Sequence, residues 1–151
     1  MFTINVDLTL NAPIDYLFEA ISDHGAYTRF KAVRHAKVVE PGCDELNGLG
    51  ALREVHVGPL QFMERITVFE RPIRMDYHIE ASQPVTMQHD MGSIHLKPLS
   101  NTQTQVIWQS QGRIQIPLLG WLVDKKFTRD GTKGFSSILK QIEREYLAQK
   151  S

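Results

Sequence analysis

Residues 52–66 read LREVHVGPLQFMERI, and the central Gly58-Pro59 fits a two-residue hairpin turn. Gly tolerates the first position of a type II′ turn, and Pro suits the negative φ of the second. Val57 then faces Leu60, Val55 faces Phe62, and Arg53 faces Glu64, with these side chains sharing one face of the hairpin. Apolar neighbours mark that face as the inner one, so an arginine and a glutamate are placed opposite each other where an unpaired charge is strongly disfavoured. They are expected to pair.

Downstream, Ile73, Met75, Tyr77 and Ile79 alternate with Arg74, Asp76, His78 and Glu80 at the period of a half-buried strand. Parity across the Arg71-Pro72 connection puts Phe62, Glu64, Ile66 and Val68 on the inner face with Tyr77. From Met87 to Leu99 the parity changes. Met87, His89 and Met91 suit one face and Ile94 and Leu96 the other, which predicts a bulge at Gly92. In the last strand Val106 and Trp108 oppose Gln105, Gln109 and Gln111, so Trp108 points inward.

Upstream, Phe2, Ile4, Val6, Leu8 and Leu10 alternate with polar residues as a first strand. It ends at Asn11-Ala12-Pro13, where a short helix begins with Ile14, Leu17, Phe18 and Ile21 at helical spacing. A second helical piece is expected from Asp23 to about Phe30, with extended chain again from Val33 to Glu40. After Ile116-Pro117 the chain turns helical to about Leu147, roughly 45 Å if unbroken. Its stripe of Phe127, Phe135, Ile138, Leu139, Ile142 and Tyr146 must cover the sheet. Gly131 and Gly134 fall on or beside that stripe. Each costs about 1 kcal/mol relative to Ala in a helix, so they mark a ligand-accommodating void, a close helix-to-sheet contact or a bend.

The 151 residues suit one domain, residues 1–151. Lys plus Arg equals Asp plus Glu at 17 each, so no overall positive field draws the chain to nucleic acid. The one cysteine, Cys43, forms no internal disulfide. Neither a signal peptide nor an apolar run of about 18 residues is apparent, so cytoplasmic location without integral membrane association is expected. Walker, dinucleotide, metal-pair and nucleophile-elbow motifs are missing, and the six histidines are spread over separate elements, so neither metal nor cofactor is indicated.

Strand, two small helices, antiparallel strands and a long terminal helix form an α+β order in which a curved antiparallel sheet wraps that helix. With Val6-Asp7-Leu8 through Asn11-Ala12-Pro13 into Leu17-Phe18, the Asp23 to Phe30 segment, Glu64-Arg65-Ile66 before Arg71-Pro72, and the terminal amphipathic helix, the chain resembles the helix-grip fold of the START/Bet v 1-like (SRPBCC) superfamily. The likeness is strongest to its polyketide cyclase/dehydrase-like branch. That resemblance implies an apolar cavity between sheet and helix for lipids, polyketides or similar molecules, and in some members cyclisation chemistry.

On this reading the ligand-binding candidates are Arg53, Phe62, Glu64, Met75, Tyr77, Trp108, Phe127 and Gly131, and the acid/base candidates are Glu64 and His89. Arg53 grips a carboxylate, phenolate or carbonyl, or else forms a structural ion pair with Glu64. Tyr77 donates to a ligand carbonyl or spans the core. His89 exchanges protons or sits as a polar rim residue. Residues 118–123 form an apolar lip, ordinary core or a homodimer contact. The expected partner is a small hydrophobic molecule. The rivals are a cyclase/dehydrase-type enzyme using the same cavity and a protein-interaction module without ligand.

Overall fold

A computed structural model describes residues 1–150. The elements are β1 (Phe2–Leu10), α1 (Ile14–Ser22), a 3-10 helix (His24–Arg29), β2 (Val33–Glu40), β3 (Leu52–Val57), β4 (Leu60–Glu70), β5 (Arg74–Gln83), β6 (Met87–Pro98), β7 (Thr104–Ile114) and α2 (Gly120–Lys150). The seven strands form one antiparallel sheet in the order β1-β7-β6-β5-β4-β3-β2. The sheet is unclosed, with β1 and β2 at its edges. Its concave face and α2 enclose a core that includes Ile4, Val6, Ile66, Met75, Trp108, Leu139 and Ile142. No helix among the described residues is long and apolar enough to cross a membrane.

The hairpin register is the one expected: Val57 opposes Leu60, Val55 opposes Phe62 and Arg53 opposes Glu64. Gly58 has φ 57°, a conformation that glycine adopts without steric penalty. Three parity readings shift. A register break between Ile66 and Val68 rotates the end of β4, so Phe69 replaces Val68 on the core side and packs edge-on against Phe18 at 5.2 Å. Ile73 lies in the turn before β5 and is exposed, since the strand starts at Arg74. In β6 the break falls between His89 and Met91, ahead of Gly92. Met87 and His89 are therefore buried, whereas Met91 turns partly outward.

α2 starts at Gly120, a few residues later than expected, because Leu118 takes a positive φ of 66° that no helix continues. The buried Asp124 accepts a hydrogen bond from the Ile114 backbone N–H at 2.8 Å, tying the start of α2 to the end of β7. Leu118, Leu119, Trp121 and Leu122 are exposed, so within that stretch of apolar residues only Val123 packs against the core. The β2–β3 register sets His35 opposite His56. Two histidines read as scattered are thus neighbours.

The two helix glycines differ. A Cβ at Gly131 would stand 2.3 Å from Ile4 Cδ1, so this glycine permits close approach of α2 to β1. At Gly134, three residues on along the same stripe, a Cβ would meet no atom within 4 Å. Gly134→Ala is expected to stabilise the fold by about 0.5–1 kcal/mol through helix propensity. Gly131→Ala, which must displace the buried Ile4 tip, is expected to give no gain or a loss, overpacking typically costing about 1–3 kcal/mol. Denaturant unfolding of both variants measures the contrast.

Candidate functional site

Arg53 is 2% exposed and lies inside the concave face. An isolated guanidinium there is untenable, and its five N–H donors need more than one acceptor. Its Nε donates to Glu64 Oε1 at 2.7 Å across the β3–β4 pair, and its Nη1 donates to His24 Nδ1 at 2.6 Å. His24, which is fully buried, has its Nε2 3.2 Å from the Asn47 carbonyl oxygen. Both contacts are satisfied by a neutral imidazole protonated on Nε2. Burial, and then the adjacent Arg53 charge, hold the His24 pKa well below its ordinary value; the Asn47 carbonyl only partly opposes them.

The Arg53 guanidinium carbon lies 5.4 Å from the ring centroids of both Tyr27 and Tyr77, within cation–π range. Burial works against the Arg53 charge, but Glu64 and the two tyrosines outweigh it, and its pKa is raised. Tyr27 donates its hydroxyl to the Ile21 carbonyl, which joins the 3-10 helix to α1. Tyr77 accepts a hydrogen bond from Trp108 Nε1 at 3.0 Å. Burial, reinforced by Glu64, pushes the Tyr77 pKa up, so its hydroxyl stays protonated. Glu64, at 8% exposure, is the least enclosed of these groups.

The Arg53–Glu64 pairing is the one the hairpin register predicts, and Tyr77 links it to Trp108. Phe62 and Phe127 are also close, with ring centroids 6.4 Å apart across the sheet–helix interface. Met75 is fully buried opposite Phe69, at the far end of the β4–β5 pair from Phe62, and Gly131 serves the contact with Ile4. The Trp108 ring stacks on Phe135 of α2 at 4.0 Å and 15°. His24 and Tyr27 were missed by sequence reading. The signal for His24 lay in the arithmetic of Arg53: one carboxylate leaves guanidinium donors unpaired, and the short helical segment packed beside β2 was the nearest source of a second acceptor.

His89 occupies a different position. Beyond the Asp76–Ser93 pair no ladder pairing joins β5 to β6. The His89 ring fills that split, accepting from the Ile79 backbone N–H at Nδ1 (3.1 Å) and contacting Ser110 Oγ through Nε2 (3.1 Å). Tyr77 stacks on it at 5.6 Å and 17°. Burial, then repulsion from His78, lowers its pKa to about 4. With both nitrogens engaged in bracing strands, His89 lacks a free base for a ligand. Two pockets lie away from the Arg53–Glu64 pair. One of about 390 Å³ is lined by Asp76, His78 and Ser93; the other, about 580 Å³, is lined by Ile116, Leu118 and Trp121. Neither is lined by Arg53 or Glu64.

No protein-family model matches the chain, and no curated protein matches it in sequence. Solved structures do. A START superfamily protein from Mycobacterium smegmatis aligns with a TM-score of 0.77 at 10% identity, covering 95% of this chain and 99% of that one. The Zhui aromatase/cyclase from Streptomyces aligns at 0.74 and 16% identity, over 94% and 93% of the two chains. Ara h 8.0201 aligns at 0.71 and 16% identity, over 97% of each. The chain has the helix-grip fold. The sheet order and the long C-terminal helix agree with the START/Bet v 1-like resemblance seen in the sequence.

Arg53→Met is expected to destabilise the helix-grip core by about 3–5 kcal/mol, since it leaves Glu64 buried without its partner charge. Thermal or denaturant unfolding reads this directly. The two buried histidines also set a pH dependence. Unfolded, each takes up a proton near its ordinary value of 6.5, whereas folded His89 resists until about 4 and folded His24 is held well below 6.5 by burial and the Arg53 charge. Below about pH 6.5 the unfolded state therefore binds more protons, and stability is expected to fall as pH drops from there toward 4. His89→Gln should flatten that slope in denaturant titrations across the window.

Proposed function

We propose that the chain binds a small hydrophobic molecule between the concave sheet and α2, with the ligand's polar end at Glu64 and Arg53. The observation that carries this reading is the buried ionic cluster of Arg53, Glu64 and His24 on the concave face, together with open space at the Cβ position of half-buried Gly134 on α2. Gly134 lies on the sheet-facing stripe between Gly131 and the buried Ile138, yet nothing lies within 4 Å of its Cβ position. Proteins of similar fold include a START superfamily member and an aromatase/cyclase, which supports the same ligand class. Phe62, Phe127 and Trp108 supply apolar surface, and Met75 supplies a polarizable floor. Glu64, as the least enclosed group of the cluster, meets the polar end of the guest, while Arg53 holds its charge.

A second reading uses the same pocket for cyclase-type proton abstraction, with Glu64 as base and the Arg53 guanidinium balancing charge that develops on a carbonyl oxygen. The position of Glu64 favours it over His89 for that role.

Native mass spectrometry of the chain purified from its own host is expected to show retained apolar mass, released on denaturation. Gly134→Leu, which adds a bulky side chain where a Cβ meets no atom, should reduce that load about tenfold or more without loss of fold. Equal loading of the variant, or wild-type protein that neither retains nor saturably binds any apolar probe, would sink the carrier reading. Glu64→Gln separates the enzyme: turnover of a poly-carbonyl substrate should vanish while binding weakens only modestly.

A further inference from the structure

On the outer face of the sheet, away from the concave cluster, Glu54 and His56 stand two residues apart on β3 and therefore share a side. β2 brings His35 directly opposite His56 after a register break between Val33 and His35. The result is a compact group of two imidazoles and a carboxylate. His35 Nε2 is 3.1 Å and His56 Nε2 3.0 Å from the same oxygen, Glu54 Oε2, and the ligand atoms lie within 4.8 Å of one another. His56 Nε2 is a buried atom without a hydrogen-bond partner, despite its closeness to that oxygen. The ring centroids of His35 and His56 are 4.6 Å apart and tilted by 44°.

We infer that His35, Glu54 and His56 form a binding site for a divalent transition metal of the zinc class, bridging the edge strand β2 to β3. The donor set of two imidazole nitrogens and one carboxylate oxygen suits zinc, which takes such ligands at about 2.0–2.2 Å with tetrahedral angles, so that neighbouring ligand atoms lie about 3.3 Å apart. The observed 3.0 and 3.1 Å contacts are close to that edge length. A cation also explains His56 Nε2. Glu54 Oε2 is 3.0 Å away but makes no hydrogen bond with this nitrogen, so Nε2 is left without a partner beside an anionic oxygen, and a cation shared by the two satisfies both. Three protein ligands leave a fourth position for water or an incoming group.

The nearest competitor is Lys37, which the register places opposite Glu54. His35 on β2 with Glu54 and His56 on β3, all half-buried on paired strands, give the metal the more rigid set of donors.

Zinc chloride titrated by calorimetry into the untagged, chelator-treated full chain near neutral pH is expected to show saturable one-to-one binding. His35→Ala, at a side chain 42% exposed and so compatible with an intact fold, and Glu54→Gln should each weaken it about tenfold or more. Far-UV dichroism confirms that both variants are folded. Cobalt substituted for zinc should give a visible absorption band that His35→Ala abolishes. Cys43→Ser, altering the exposed free thiol, should leave affinity unchanged. The proposal is overturned if no saturable one-to-one binding occurs, if His35→Ala and Glu54→Gln bind as tightly as wild type, or if Cys43→Ser removes the binding.

Discussion

The burial of one positive charge organises the half of the molecule around β3 and β4. Arg53 is removed from water inside an apolar face, and a guanidinium cannot escape the cost by losing its proton. The surrounding chain answers with a carboxylate from β4, an imidazole from the 3-10 helix and two aromatic faces. Each contribution constrains the element that carries it. Glu64 requires the β3–β4 register, because a slip by one residue sends its carboxylate to the other side of the sheet. His24 requires the short helix to sit against the sheet edge, and Tyr27 ties that helix to α1. A local electrostatic demand thereby becomes a long-range positional one.

A second constraint acts where the sheet divides. Past Asp76 and Ser93, β5 and β6 separate, and His89 supplies through its ring a bond to the Ile79 amide that strand pairing no longer provides. This leaves Tyr77 stacked between the imidazole of His89 and the Arg53 guanidinium. Gly92 belongs to the same arrangement. A Cβ there would approach the Tyr77 ring at 2.7 Å and its backbone oxygen at 2.9 Å, so the tyrosine occupies space that only glycine leaves.

Alternation alone made most of the architecture legible. The face shared by Arg53, Val55, Phe62, Glu64 and Ile66 follows from the Gly58-Pro59 turn and strict period two, both local properties of the chain. Val68 and Met91 were misplaced for one reason: a bulge changes parity without any obligatory sequence mark. Gly92 drew attention to the β6 irregularity because glycine is permissive, but the actual break precedes it. His24 lay beyond periodicity, since its role depends on a partner 29 positions away that pairing of β3 and β4 alone does not locate. The two glycines of α2 could not be told apart by spacing; only the depth of β1 beneath each one distinguishes them.

Leaving the sheet unclosed exposes the outer margin of β2 to foreign strands, a hazard for any protein concentrated in a cell. That margin is broken by two irregularities, between Val33 and His35 and between Val38 and Glu40, and it carries exposed Arg34 and Lys37. A second copy laid alongside finds neither a flat hydrogen-bonding rail nor neutral company. The distortion that assembles a histidine pair on one side thus also blunts the chain's tendency to polymerise.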